Sequence, residues 1–170
     1  MQDDELRAVQ DPLKATYREN PAAAQLTLRA SAELGAEGVS CSVETGKALV
    51  EAGLHPASGG DGSLACSGDM LLQALVACAG VTLRSVAVNR GIPITSGRVL
   101  AEGDLDIRGT MAVSRDTPVG FGSIRLRFEL ASPAPESDLQ ALLEATERYC
   151  VVYQTLTAGV PVDVTHEQTA

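Results

Sequence analysis

The stretch LLQALVACAGVTL, residues 71–83, constrains this chain more than any other feature. With its flanks it reads as one long helix over residues 68–89. Cys66 or Ser67 stands at the cap, Asp69 suits the positive N-terminal end, and Gly91 followed by Pro93 stops it. At 100° per residue Cys78 shares a stripe with Leu71, Leu75 and Thr82. That stripe is the edge of the apolar face, where a side chain meets both core and cleft. A second periodic segment, 138–158, runs until Gly159, with Ser137 as its cap. On it Cys150 shares a stripe with Leu139, Leu143, Thr146 and Tyr153. If the two helices pack together, the two thiols meet.

Composition removes several function classes. The 170 residues are 45% hydrophobic, which suits one compact domain with a substantial core. Tryptophan is absent and aromatics are few, so broad stacking surfaces for bases or sugars are scarce. The formal charge of −9 works against nucleic acid, whose binding needs clustered Lys and Arg to displace counterions. The acidic start has no apolar h-region, and no apolar run is read as approaching the roughly 18 residues of a spanning helix. The expectation is a cytoplasmic protein without a membrane segment. In that reducing compartment the four cysteines are read as free, catalytic or redox-active rather than as structural bridges.

The rest of the chain supplies sheet. Residues 1–24 form a charged, weakly helical arm interrupted by Pro12, ahead of a domain over 25–170. Leu26, Leu28, Ala30, Ala32 and Leu34 alternate at the strand period, and the turn 35–38 returns the chain into 39–44. Thr45 and Gly46 make a second turn into 47–51, and the Pro- and Gly-rich stretch 56–62 is a loop. Segments 99–113 and 123–131 alternate again and pair antiparallel across the turn region 118–120. Residues 132–135 break the pattern, and 160–165 alternate as a closing strand. Strands, helix, strands, helix, strand is the order of an α+β fold with antiparallel sheet.

The run from Leu54, His55 and Pro56 through Gly59, Gly60, Asp61 and Gly62 into Asp69, Cys78 and Leu83, with Thr146 to Val152 downstream, resembles the OsmC/Ohr superfamily of osmotically inducible and organic-hydroperoxide-resistance proteins. The likeness spans about residues 25–167. It implies an intertwined homodimer of α+β subunits whose antiparallel sheets wrap around two central helices. It implies thiol-dependent reduction of organic hydroperoxides, with Cys78 as the peroxidatic cysteine, Cys150 as the resolving one, and an unidentified thiol reductant to recycle them. The family pattern also places a glutamate just before the cysteine helix and an arginine in the N-terminal sheet or following loop. Here Gly68 stands at the glutamate position, Asp69 comes one residue late, and the turn 35–38 has no arginine. Asp69 and His55 are therefore the candidate substitutes, with Arg18 or Arg29 behind them.

The chemistry fits the residue types. A thiolate attacks the O–O bond and becomes a sulfenic acid, which a neighbouring thiol condenses with to form a disulfide, so no cofactor or metal is called for. The thiolate requires a lowered pKa. From Met70 through Ala101 there is no acid, while Arg84, Arg90 and Arg98 are present; surface solvation is the simpler reading of these arginines. Cys41 is read as packing, Cys66 as a bystander and His166 as solvated. No zinc spacing, dinucleotide fingerprint or serine-hydrolase elbow holds up. The competing reading is a non-catalytic domain that binds a small apolar ligand in the dimer cleft.

Overall fold

The computed structural model describes residues 3–34, 41–43, 52–166 and 168. The turn 35–38 and the second turn at Thr45 and Gly46 with the segment after it lie outside the described residues. The elements in chain order are α1 (Asp3–Glu19), β1 (Gln25–Leu34), β2 (Cys41–Val43), β3 (Ala52–Gly53), β4 (Ala65–Cys66), α2 (Ser67–Arg90), β5 (Ser96–Asp106), α3 (Ile107–Thr110), β6 (Phe121–Ala131), α4 (Glu136–Tyr149) and α5 (Val151–Ala158). Four strands form one antiparallel sheet in the order β2-β1-β5-β6, and β3 pairs with β4 in a short parallel ladder.

The sheet register follows from side-chain alternation. Leu26 lies opposite Leu105 and Ala30 opposite Ala101, while Val99 faces Phe128 and Ala101 faces Leu126 across the β5–β6 ladder. Val99 and Ala101 are buried, and on β6 Ile124, Leu126 and Phe128 pack toward the same core. Gly103 is needed because a Cβ there would sit 2.5 Å from the Phe121 ring. The β5 segment ends earlier than its alternation suggests. The Asp106 carboxylate accepts from the Arg108 N–H and turns the chain into α3.

Against this sheet lies α2, with Leu72, Val76, Ala79 and Leu83 fully buried. Each leucine or valine so buried contributes about 1.5–3 kcal/mol. By length and composition α2 does reach what a membrane-crossing helix requires, contrary to the expectation that no apolar run would. Its apolarity is used inside the fold: one side meets β1 and β5, and another meets α4 and α5. Leu83 and Ala87 pack with Ile94 and Leu142, and Arg84 spans from α2 to donate to the Ile94 carbonyl at 3.0 Å. The two ends of the helix match their signals, with Cys66 at the N-cap and Gly91 left-handed at φ +66.

Three segments differ from their sequence reading. Residues 3–19 form one continuous helix through Pro12, and its Tyr17 is buried against Ala24, Ile107 and Met111. The lost amide at Pro12 is tolerated because tertiary packing holds the C-terminal half of α1, including Tyr17 Oη donating to the Ala57 carbonyl at 2.6 Å. The periodic segment 138–158 is two helices divided at Cys150. A break of a single residue hardly disturbs a 3.6 period, so the pattern reads through it. Residues 160–166 form no strand, and Val160, Val162 and Val164 are exposed. Alternation marks a segment able to pair, but within the subunit these residues join no strand.

Candidate active site

Cys78 sits in mid-helix on α2, part-buried, while Cys150 occupies the break between α4 and α5 and is 1% exposed. The Cys150 backbone is extended, at φ −72 and ψ 109, so it ends one helix and starts the next. Its N–H donates to the Thr146 carbonyl at 2.9 Å and closes α4. Its Sγ accepts from the Tyr153 N–H at 3.5 Å and caps α5. Thr146 is buried beside it with its hydroxyl donating back to Leu142 at 2.8 Å, which leaves the wall behind the thiol polar-satisfied.

This junction aims hydrogen-bond donors at Cys78. Burial alone pushes the Cys78 thiol up, but the Val152 N–H, the Cys150 thiol, the Thr82 hydroxyl and the Val151 N–H more than offset it and hold the thiol below its ordinary value. For Cys150 the balance is reversed. Burial raises it, the Tyr153 N–H only partly compensates, and negative charge on Cys78 raises it further. The two thiols are therefore biased in opposite directions, Cys78 toward the thiolate and Cys150 toward the thiol. Two amides at the start of α5 also carry the positive end of that helix, which favours an anion on Cys78.

His55 and Asp69 come together elsewhere. Asp69 precedes Cys78 by nine residues, which is half a turn out of phase and about 13 Å away along the axis. Burial raises the Asp69 carboxyl, and the His55 charge partly counters that. His55 Nδ1 accepts from the Ala57 N–H at 3.0 Å and caps the short 3-10 turn Pro56–Ser58. The loop is tight: a Cβ on Gly60 would lie 1.8 Å from the Leu54 carbonyl oxygen. The largest influences on Cys78 include neither residue. Arg18 is exposed in the last turn of α1, and Arg29 stands opposite Glu102 in the β1–β5 ladder. Cys66 packs at the edge of the core at the head of α2, about 18 Å along the axis from Cys78. Cys41 lies opposite Leu34 on β2, and His166 is exposed.

An open cavity of about 690 Å³ is lined by Leu75 of α2 and Tyr153 of α5, each three residues along the chain from a cysteine, and also by Arg127 and Glu147. Ile124, Leu126 and Phe128 of β6 form one wall, with Leu156 of α5 opposite. Among the described residues no cluster of His, Cys, Asp or Glu has the arrangement of a metal site.

A family model described as OsmC-like protein matches residues 60–165. The chain belongs to the OsmC-like family. The matched region contains both α2 with Cys78 and the α4–α5 junction with Cys150, and leaves α1 outside. This OsmC-like protein also superposes on the crystal structure of an OsmC-like hydroperoxide resistance protein from Jannaschia sp. CCS1. The TM-score is 0.56 at 18% identity, covering 86% of this chain and 95% of the other. At that identity the likeness is one of fold. No curated protein matches the chain.

Backbone amides are the functional groups that sequence reasoning missed, because an N–H carries no residue-type signature. Thr82 had a signal, since it shares the Cys78 stripe one turn on.

Proposed function

We propose that this OsmC-like protein reduces organic hydroperoxides with Cys78 and Cys150 as its redox pair. The observation that carries this reading is that Cys78 of α2 packs on the same core cluster as Cys150 at the α4–α5 junction, where the surroundings lower the first thiol and raise the second. The hydroperoxide resistance named for the Jannaschia relative and the family membership support the same chemistry.

The Cys78 thiolate attacks one oxygen of ROOH, forming an S–O bond as the O–O bond breaks. The alkoxide takes a proton and leaves as ROH, and Cys78 becomes a sulfenic acid. Cys150 then attacks that sulfur: the S–S bond forms, the S–O bond breaks, and water leaves with the Cys150 proton. A thiol reductant supplies two electrons to restore both thiols. Cys150 holds its proton until this second step, as its raised pKa favours. The cavity beside Leu75 and Tyr153 offers the apolar wall of Ile124, Leu126 and Phe128 to the alkyl part of an organic hydroperoxide, with Arg127 and Glu147 also lining it.

The assembly belongs to the same proposal. Val160, Val162 and Val164 are 51%, 81% and 89% exposed in a segment that alternates like a strand, and β6 ends the described sheet. A second copy of this chain satisfies both, as an intertwined homodimer.

Peptide mapping after one equivalent of an alkyl hydroperoxide tests the function. The expected product is an intrasubunit Cys78–Cys150 disulfide with one ROH released per subunit. Unmodified Cys78 would contradict the reading. The cavity also favours a second function, binding of a small apolar ligand without chemistry; such binding in the Cys78→Ser protein, with no turnover in the wild type, would select it.

A further inference from the structure

The two sulfurs differ in what can reach them. Cys150 is 1% exposed and belongs to the buried cluster that contains Leu72, Val76, Ala79 and Val99. Thr146, one turn earlier on α4, is equally buried. Cys78 is only part-buried and packs on that cluster from its rim. Around α2 the residues Leu71, Ala74 and Val81 lie within about 60° of Cys78, and all three are exposed. The face of the helix that carries Cys78 is therefore open, and the surroundings of Cys150 are closed.

This difference matters once the pair is a disulfide. A thiolate opens a disulfide by attacking one sulfur in line with the S–S bond, on the side away from the sulfur that leaves. Attack on Cys150 requires a nucleophile within the core of the subunit, whereas attack on Cys78 comes from the open face of α2. Leaving-group strength pulls the other way, because the lowered Cys78 thiol is the better leaving group of the two. With Brønsted slopes near 0.5, each unit of pKa changes such rates only about threefold. Exclusion of the attacker from a sulfur that is 1% exposed outweighs a factor of that size.

Resting on the peroxidase reading of the thiol pair, we infer that the recycling thiol attacks Cys78 and not Cys150, so that one sulfur meets both the peroxide and the reductant. The reductant thiolate forms an S–S bond to Cys78 as the Cys78–Cys150 bond breaks. The electron pair leaves on Cys150, whose Sγ already faces the Tyr153 N–H at 3.5 Å, and a proton from water completes that thiol. Burial favours the protonated form of Cys150, which slows its return onto Cys78. A second reductant thiolate then attacks the outer sulfur of the mixed disulfide. The reductant departs as its own disulfide, and Cys78 is released as the thiolate its surroundings favour.

The test forms the disulfide with diamide, so that no peroxide chemistry enters it. The oxidised full-length protein is mixed with mercaptoethanol, quenched in acid to stop exchange, and digested with pepsin. The expected adduct is mercaptoethanol on Cys78 with a free thiol at Cys150, in about tenfold or greater excess over the reverse. Equal shares, or an adduct mainly on Cys150, overturns the inference. A second measurement needs no trapped adduct: Ala74→Lys and Ala74→Glu place opposite charges one turn from Cys78 at an exposed helix position that suits both residues. At low salt, reduction by the anionic mercaptoethanesulfonate should be about threefold faster in the first and about threefold slower in the second, with neutral mercaptoethanol little changed. Equal rates in the two variants overturn the inference, as does failure of diamide to join Cys78 to Cys150. A disulfide that diamide forms and an alkyl hydroperoxide does not strikes the peroxidase reading alone.

Discussion

Cys78 and Cys150 are close in space but sit in opposite kinds of backbone. Cys78 rides inside an unbroken 24-residue helix, where its own amide and the amides around it are already bonded. Cys150 stands at a break, where α4 ends and α5 begins, and a helix start has amides to spare. The spare amides of Val151 and Val152 serve the other cysteine's sulfur. The groups that lower one thiol thus begin the element that carries the other.

The comparison breaks most severely when either sulfur is removed. Cys78→Ser should lower hydroperoxide turnover on the order of a thousandfold, since no other thiol takes its place. Cys150→Ala should instead give one ROH per subunit and then stop, with a sulfenic acid on Cys78 visible to dimedone labelling and intact-mass analysis. Equal residual turnover in the two variants would mean that the cysteines do not differ in role. A smaller effect is expected from Thr82→Val, which keeps the shape and deletes a donor. The alkylation midpoint of Cys78 should rise by roughly half a unit to one unit, so that at pH 7 the thiolate fraction and the rate both fall. An unchanged midpoint would take Thr82 out of the site.

Val151→Pro sharpens the comparison further. Proline fits the first position of α5, and the extended Cys150 before it has the backbone that a residue preceding proline prefers. The substitution removes one amide donor with little cost to the helix, and the Cys78 midpoint should rise by a few tenths of a unit, about the size expected for one weak donor. The smallest effect belongs to His55→Ala and Asp69→Ala, which should leave the Cys78 alkylation profile where it was. A shift of about one unit in either variant would reinstate them as the activating pair.

Much of this arrangement was legible before any coordinates. The stripe through Leu75, Cys78 and Thr82 placed Cys78 at an edge of the core, and the stripe through Leu143, Thr146 and Cys150 turned the second thiol toward it; both side chains pack on the same cluster. The β5–β6 ladder followed from alternation alone. The break at Cys150 did not, since Leu139, Leu143, Thr146 and Tyr153 keep helical phase across it. Asp69 and His55 are near the head of α2 in sequence, but helical phase turns Asp69 away from Cys78, and His55 spends a ring nitrogen on its own loop. Tyr17 was unreadable for another reason: a tyrosine in a charged helix gives no sign that the Ala57 carbonyl waits 40 residues further on.

The central claim is that the α4–α5 junction makes Cys78 the thiolate and leaves Cys150 the thiol. Site-resolved alkylation of the reduced protein across the pH range, with each cysteine followed by mass spectrometry, measures this directly. Cys78 should titrate below the ordinary thiol value of about 8.5 and Cys150 above it. Two cysteines titrating together at the ordinary value, or Cys150 reacting at lower pH than Cys78, would contradict it.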